Sequence, residues 1–186
     1  MYHERQRWAF CGVHAVNNLL QKQAYDKDTF DAVCDDLAPS SIMNPHRSMW
    51  GIGNYDANVL MVILEQKQGL DVQWHDARQE MTLAVLQEYF SSNTTTTTTS
   101  EPSAVAGIVV NLPSTSLWAR YVTKGRHWFT LLWQPQQAQW INLDSNLKEP
   151  KVIGDMQACV DLLQEWRQQS CHILLVKTNN IPNETR

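Results

Sequence analysis

Phe10-Cys11-Gly12-Val13-His14-Ala15-Val16-Asn17-Asn18-Leu19-Leu20-Gln21 reads as a helix. Val13, Val16, Leu19 and Leu20 recur at helical spacing, and Asn17, Asn18 and Gln21 take the other side. Cys11 falls in the first turn, where unpaired backbone N–H groups and the positive end of the helix dipole favour an anion and so lower a thiol pKa. A thiol becomes a nucleophile only when a base can hold its proton. The candidates for that lie far downstream, in His127-Trp128-Phe129 and Asn142-Leu143-Asp144-Ser145.

Helical patterns come first along the chain. After 10–21, positions 28–37 form a second helix with Asp28 as its cap, Phe30, Val33 and Leu37 as its apolar side, and Pro39 as a stop. The stretch 39–53 turns irregular around Pro45, Gly51 and Gly53, with Met43, Met49 and Trp50 on a loop free to touch another molecule. Helical periodicity returns over 55–68, and Gly69 suits its C-terminal cap. A short strand at 70–74 and a helix over 81–90 follow. The β-branched run 104–112 reads as a buried strand, with further strands at 127–133, 138–143 and 172–176 and a helix at 156–167 between the last two. Helices leading and an antiparallel-leaning sheet following make an α+β arrangement.

The 186 residues suggest a single domain over 1–186 with its own core. Six consecutive threonines, Thr94 to Thr99, have no apolar period and mark a low-complexity surface insertion at about 92–103. A hydrophobic share of 43% with 18% charged residues is that of a soluble globular chain, and a net charge of -4 gives no electrostatic reason to expect nucleic acid. Cys11, Cys34, Cys159 and Cys171 show no C-x-x-C pair or clustered metal spacing, so they read as free thiols of a reducing compartment. The charged N-terminus carries no apolar leader, and no apolar run is long enough to cross a bilayer. A cytoplasmic or nuclear location is expected, with no metal and no cofactor.

The chemistry these residues suggest is acyl transfer. Cys11 attacks a carbonyl, His127 takes and returns the proton, and Asp144 orients the imidazole and stabilises its charged form. Singly, each has a plainer reading: a small buried apolar residue, a structural histidine, a turn aspartate. Together they gain weight, since an antiparallel hairpin from His127 to Asp144 brings the start of one strand beside the end of the next. The oxyanion requires donors, for which the Gln6 side chain and the Cys11 N–H are the candidates. His14, one helical turn from Cys11, reads as a packed histidine rather than the base. A metal site joining Cys11 and His14 to Cys171 and His172 matches no known spacing.

His3-Glu4-Arg5-Gln6, the C-x-x-H-x-x-N-N-x-L-Q run from Cys11 to Gln21, His127-Trp128-Phe129 and Asn142-Leu143-Asp144-Ser145, in this order, resemble the Josephin domain across nearly the whole chain. The resemblance implies a papain-like cysteine protease fold and cleavage of isopeptide bonds at the C-terminus of ubiquitin. It also implies Cys11 as nucleophile, His127 as base, Asp144 as third member and Gln6 as oxyanion donor. Asp144 with Ser145-Asn146-Leu147 is more similar to the small Josephin-only proteins than to the ataxin-3 branch, and 35–54 is too short for that branch's long helical hairpin. Ubiquitin and ubiquitinated proteins are then the expected partners, with Trp50 and Tyr55, beside Met49, as expected substrate contacts. A ubiquitin-binding module that turns nothing over and a papain-like enzyme of another substrate are the competing expectations.

Overall fold

The computed structural model describes residues 1–39, 43–48, 53–76, 78–91, 105–114 and 125–179. Among these residues, five α-helices, Cys11–Leu20 (α1), Lys27–Leu37 (α2), Ala57–Met61 (α3), Leu83–Ser91 (α4) and Met156–Arg167 (α5), accompany six strands. The strands are Leu70–His75 (β1), Ala106–Pro113 (β2), Arg126–Gln134 (β3), Gln139–Asn142 (β4), Lys151–Gly154 (β5) and His172–Thr178 (β6). They form one sheet in the order β1-β6-β2-β3-β4-β5, and every neighbouring pair is antiparallel.

Strand alternation sends successive side chains to opposite faces, and both faces are covered. Val109, Trp128, Leu132, Leu174 and Val176 join α1, α2 and α3 in one core. Their neighbours Ile108, Val110, Phe129, Leu131, Ile173 and Leu175 join α4 and α5 in another. The N-terminal helices thus pack on an antiparallel sheet as expected, and the two later helices close its far side.

Helix α1 runs through the middle of the first core. Its residues from Cys11 to Leu19 are all buried, including Asn17 at 1% and Asn18 at 0% exposure. The polar side of the helix is therefore buried as fully as its apolar side. The two asparagines are buried because both are fully used as hydrogen-bonding groups. Asn17 donates to Glu4 Oε1 and to the Tyr25 carbonyl and accepts from the Ala24 and Tyr25 N–H groups. Asn18 accepts from Glu4 N–H at 2.6 Å and donates to the Leu143 carbonyl at 2.9 Å. Thr130 Oγ1, fully buried on β3, donates to the Ala15 carbonyl at 2.7 Å and fixes the helix against the sheet. Gly107 lets α1 come close, since a Cβ there would meet Leu19 Cδ1 at 2.4 Å and the Leu131 carbonyl at 2.9 Å.

Other boundaries follow local chemistry. The cap of α2 is Asp26 rather than Asp28: its carboxylate accepts from Thr29 N–H at 2.9 Å. The helix expected over 55–68 starts at Ala57 behind the Asp56 cap and widens into a π-helical stretch, Val62–Lys67. Gly69 closes it with φ +66, its N–H donating to the Glu65 carbonyl at 2.9 Å, as a left-handed helix stop requires. Strand β5 was not expected from the sequence. The threonine run and Trp50 lie outside the described residues.

Candidate active site

Cys11 is the first residue of α1, and the N-cap, Phe10, has no side-chain oxygen to cap the helix. The amide N–H of Cys11 and those just after it have no intrahelical acceptor, so unpaired donors and the positive end of the helix dipole lie beside its side chain. His127 is the second residue of β3, paired with Leu112 of β2, and its ring stacks on Phe129 with centroids 6.0 Å apart. The imidazole bonds Asp144 Oδ1 through Nε2 at 2.7 Å, and the Cys11 thiol lies near enough to act on its protonation. With Nε2 turned to the carboxylate, Nδ1 is the nitrogen left for the thiol.

Burial alone would push the imidazole pKa down, but the hydrogen bond to Asp144, its charge and the neighbouring Cys11 thiol outweigh it, raising it to about 9. Burial pushes Cys34 up to about 12 and raises Cys159 and Cys171 as well, which keeps them as inert thiols. Cys171 belongs to the core on the sheet face opposite the one packed around Cys11.

Asp144 is presented by a turn. Leu143 N–H donates to the Thr130 carbonyl at 2.8 Å, one rung beyond β4. The chain then folds back: Asp144 N–H donates to Asn142 Oδ1, Asn146 N–H to Asp144 Oδ1 and Leu147 N–H to the Asp144 carbonyl. Asn146 adds a side chain, its Nδ2 lying 3.0 Å from His127 Nε2. Sequence reasoning assigns Asn146 no part, and its one signal there is its nearness to Asp144.

The first residues form a strap between this turn and α1. His3 Nε2 lies 3.0 Å from the Asp144 carbonyl, and Gln6 N–H donates to the Ser145 carbonyl at 2.7 Å. The Gln6 amide is oriented at both ends: Oε1 accepts from Ser145 Oγ at 2.7 Å, and Nε2 donates to the Trp8 carbonyl at 2.6 Å. His14 supports the strap and is buried, as its packed reading anticipates. Its Nδ1 lies 2.6 Å from Glu4 Oε2, and its Nε2 accepts from Arg7 N–H at 3.2 Å, which leaves neither nitrogen for Cys11. Burial raises the Glu4 carboxyl, but hydrogen bonds from His14, Tyr2 and Asn17 outweigh it and hold the pKa below the usual range.

Tyr55 is placed in the core, at 2% exposure. Its ring packs on Phe30 with centroids 4.9 Å apart and its hydroxyl donates to Asp31 Oδ1 at 3.0 Å. The expectation of a surface contact there is corrected: an aromatic ring with an accessible phenol partner inside the fold is a packing residue. Its carbonyl also accepts from Trp128 Nε1 at 2.9 Å.

A buried helix that opens on a cysteine, packed against an antiparallel sheet with an imidazole on a strand start and a carboxylate on the turn after the next strand, is the α+β papain-like arrangement. The sequence profile of the Josephin family matches residues 6–177. Over 184 residues the chain is 38% identical to Josephin-2 of Homo sapiens, covering 97% of this chain and 88% of that protein. It is 33% identical over 180 residues to a Josephin-like protein of Drosophila melanogaster, with 95% and 73% coverage. A Josephin-like protein of Arabidopsis thaliana is 32% identical over 170 residues, with 83% and 41% coverage. The chain belongs to the Josephin family, a family of cysteine proteases of the deubiquitinase type. Among the described residues, no helix is long and apolar enough to cross a membrane.

Proposed function

We propose that this chain, as a single domain, hydrolyses isopeptide bonds at the C-terminus of ubiquitin. The observation that supports the reading is the 2.7 Å His127–Asp144 hydrogen bond on an imidazole whose pKa the neighbouring Cys11 thiol helps to raise. His127 takes the thiol proton, and Asp144 stabilises the imidazolium that results. The Cys11 sulfur attacks the carbonyl of the last ubiquitin residue. The oxyanion receives the Cys11 N–H and the Gln6 side-chain amide. His127 then gives its proton to the leaving amine, which departs as the carbon–nitrogen bond breaks and a thioester remains. A water, deprotonated by the same imidazole, attacks the thioester, releasing the ubiquitin carboxylate and restoring the thiol.

Cys11 is only 2% exposed. A substrate chain approaching so recessed a sulfur fits best where it carries no side chains, as the diglycine end of ubiquitin does. Reaction with ubiquitin bearing a C-terminal electrophile tests the reading: a covalent adduct that depends on Cys11 supports it. A folded protein that forms no adduct favours instead a ubiquitin-binding module without turnover or a papain-like enzyme of another substrate.

A further inference from the structure

Ser145 is not part of the thiol–imidazole–carboxylate chain, yet it is 2% exposed and both of its polar ends are directed at one residue. Its carbonyl accepts from Gln6 N–H at 2.7 Å, and its hydroxyl donates to Gln6 Oε1 at 2.7 Å. An amide held by its oxygen can still rotate its nitrogen, and here the Trp8 carbonyl removes that freedom by accepting one Nε2 hydrogen at 2.6 Å. Because that carbonyl can only accept, the orientation of the amide is settled. A primary amide carries two N–H donors, so one remains for an oxyanion. Trp8 turns its carbonyl inward from a left-handed conformation, φ 50, with its side chain 83% exposed.

We infer that Ser145 is a positioning residue: it pre-organises the Gln6 amide as oxyanion donor, and so couples the turn that carries the catalytic carboxylate to the oxyanion side of the site. The inference rests on the proposed hydrolysis. Donors aimed before the reaction stabilise a developing charge without reorganising during it, and a Gln6 side chain released from Ser145 has several rotamers to choose from. The adjacent residue Asp144 acts on His127, so a three-residue turn, 144–146, sets both the acid–base and the oxyanion groups. The inference separates the two roles by residue, since the Ser145 hydroxyl does not touch His127 or Cys11.

The test is a double-mutant cycle on a ubiquitin substrate with a fluorogenic amide at its C-terminus, using wild type, Ser145→Ala, Gln6→Ala and the double variant. The Ser145 carbonyl bond to Gln6 survives in Ser145→Ala. Expected is a fall in kcat on the order of tenfold, a fraction of the loss typical for deleting an oxyanion donor, with KM unchanged. The alkaline limb of the pH profile and the rate of Cys11 alkylation by iodoacetamide should not move, because both report the thiol–imidazole pair. In the Gln6→Ala background the Ser145→Ala change should cost no further kcat. Wild-type kcat in Ser145→Ala, or an undiminished loss in the Gln6→Ala background, overturns the inference while the proposed hydrolysis stands. A wild-type chain that does not cleave the substrate overturns both.

Discussion

Asp144 Oδ1 meets His127 Nε2 at 2.7 Å from beyond the end of strand β4, which stops at Asn142. The contact is therefore made by a turn, not by a ladder pair. Asn142 and Asn146 shape that turn by bonding Asp144 from both sides, so the carboxylate arrives already oriented.

Replacing the proposed nucleophile separates chemistry from fold. Cys11→Ala should abolish turnover of a ubiquitin substrate, while the thermal midpoint stays within a few degrees of wild type, because a near-isosteric change in a packed core is mild. Binding of intact ubiquitin, measured by calorimetry, should be retained. Residual turnover in a preparation free of wild-type enzyme would remove Cys11 from the mechanism.

The pH dependence follows from the imidazole. His127 is raised from its ordinary value of 6.5 to about 9, so the charged form persists through neutral pH, and the alkaline limb of kcat/KM should lie near about 9. Asp144→Asn removes the charge that favours the imidazolium and should move this limb to lower pH. The stability carried by a raised folded pKa is complete below 6.5 and lost as pH rises through about 9. The stability gap between wild type and Asp144→Asn should accordingly narrow over that window in urea unfolding. An unmoved limb in Asp144→Asn would contradict the assigned role.

Asn146 places an amide 3.0 Å from the same His127 nitrogen. Nε2–H of the imidazolium donates to Asp144, so for Asn146 to support that state its amide must turn its oxygen to the ring. Asn146→Ala alone should lower kcat only a few-fold, since the carboxylate remains. In an Asp144→Ala background the same change should cost on the order of tenfold, with the amide then the ring's remaining acceptor. Equal effects in both backgrounds would show that the amide does not orient the ring.

Gly53 sits at φ +100, and a Cβ there would lie 2.3 Å from the Ala9 carbonyl oxygen. That carbonyl accepts from Asn54 N–H at 3.0 Å, so the loop before α3 is docked on the residues leading into Cys11. Gly53→Ala should destabilise the protein by about 1–3 kcal/mol and lower kcat by shifting the start of α1. Unchanged urea unfolding would show that the loop adapts freely.

Thr130→Val removes the buried hydrogen bond to the Ala15 carbonyl while nearly keeping volume. The expected loss is about 1 kcal/mol, read as a lower urea midpoint at constant slope. A stability equal to wild type would mean that α1 is held by apolar packing alone.

The helix that opens on Cys11 was legible because Val13, Val16, Leu19 and Leu20 repeat at its period, and Gly69 because a glycine after an apolar run is a sharp stop signal. The candidate site residues were legible only as types in order: a thiol at a helix start, an imidazole opening a strand, a carboxylate after the next. What stayed hidden depended on partners distant in sequence. The burial of Asn17 and Asn18 was not legible, because nothing local announces that Glu4, Tyr25 and Leu143 will satisfy them. Tyr55 looked available because its neighbours in sequence form a loop, whereas Phe30 and Asp31 enclose it. Ser145 and Gln6 are separated by nearly the whole chain, and only the folded strap brings them together.

The most direct test of the central claim is intact-mass analysis after incubating the chain with ubiquitin carrying a C-terminal electrophile, beside Cys11→Ser and His127→Ala. The account predicts one stoichiometric adduct with the wild type, located by peptide mapping at Cys11, none with Cys11→Ser, and much slower formation with His127→Ala. An adduct on Cys34, Cys159 or Cys171, or none on folded wild-type protein, would contradict it.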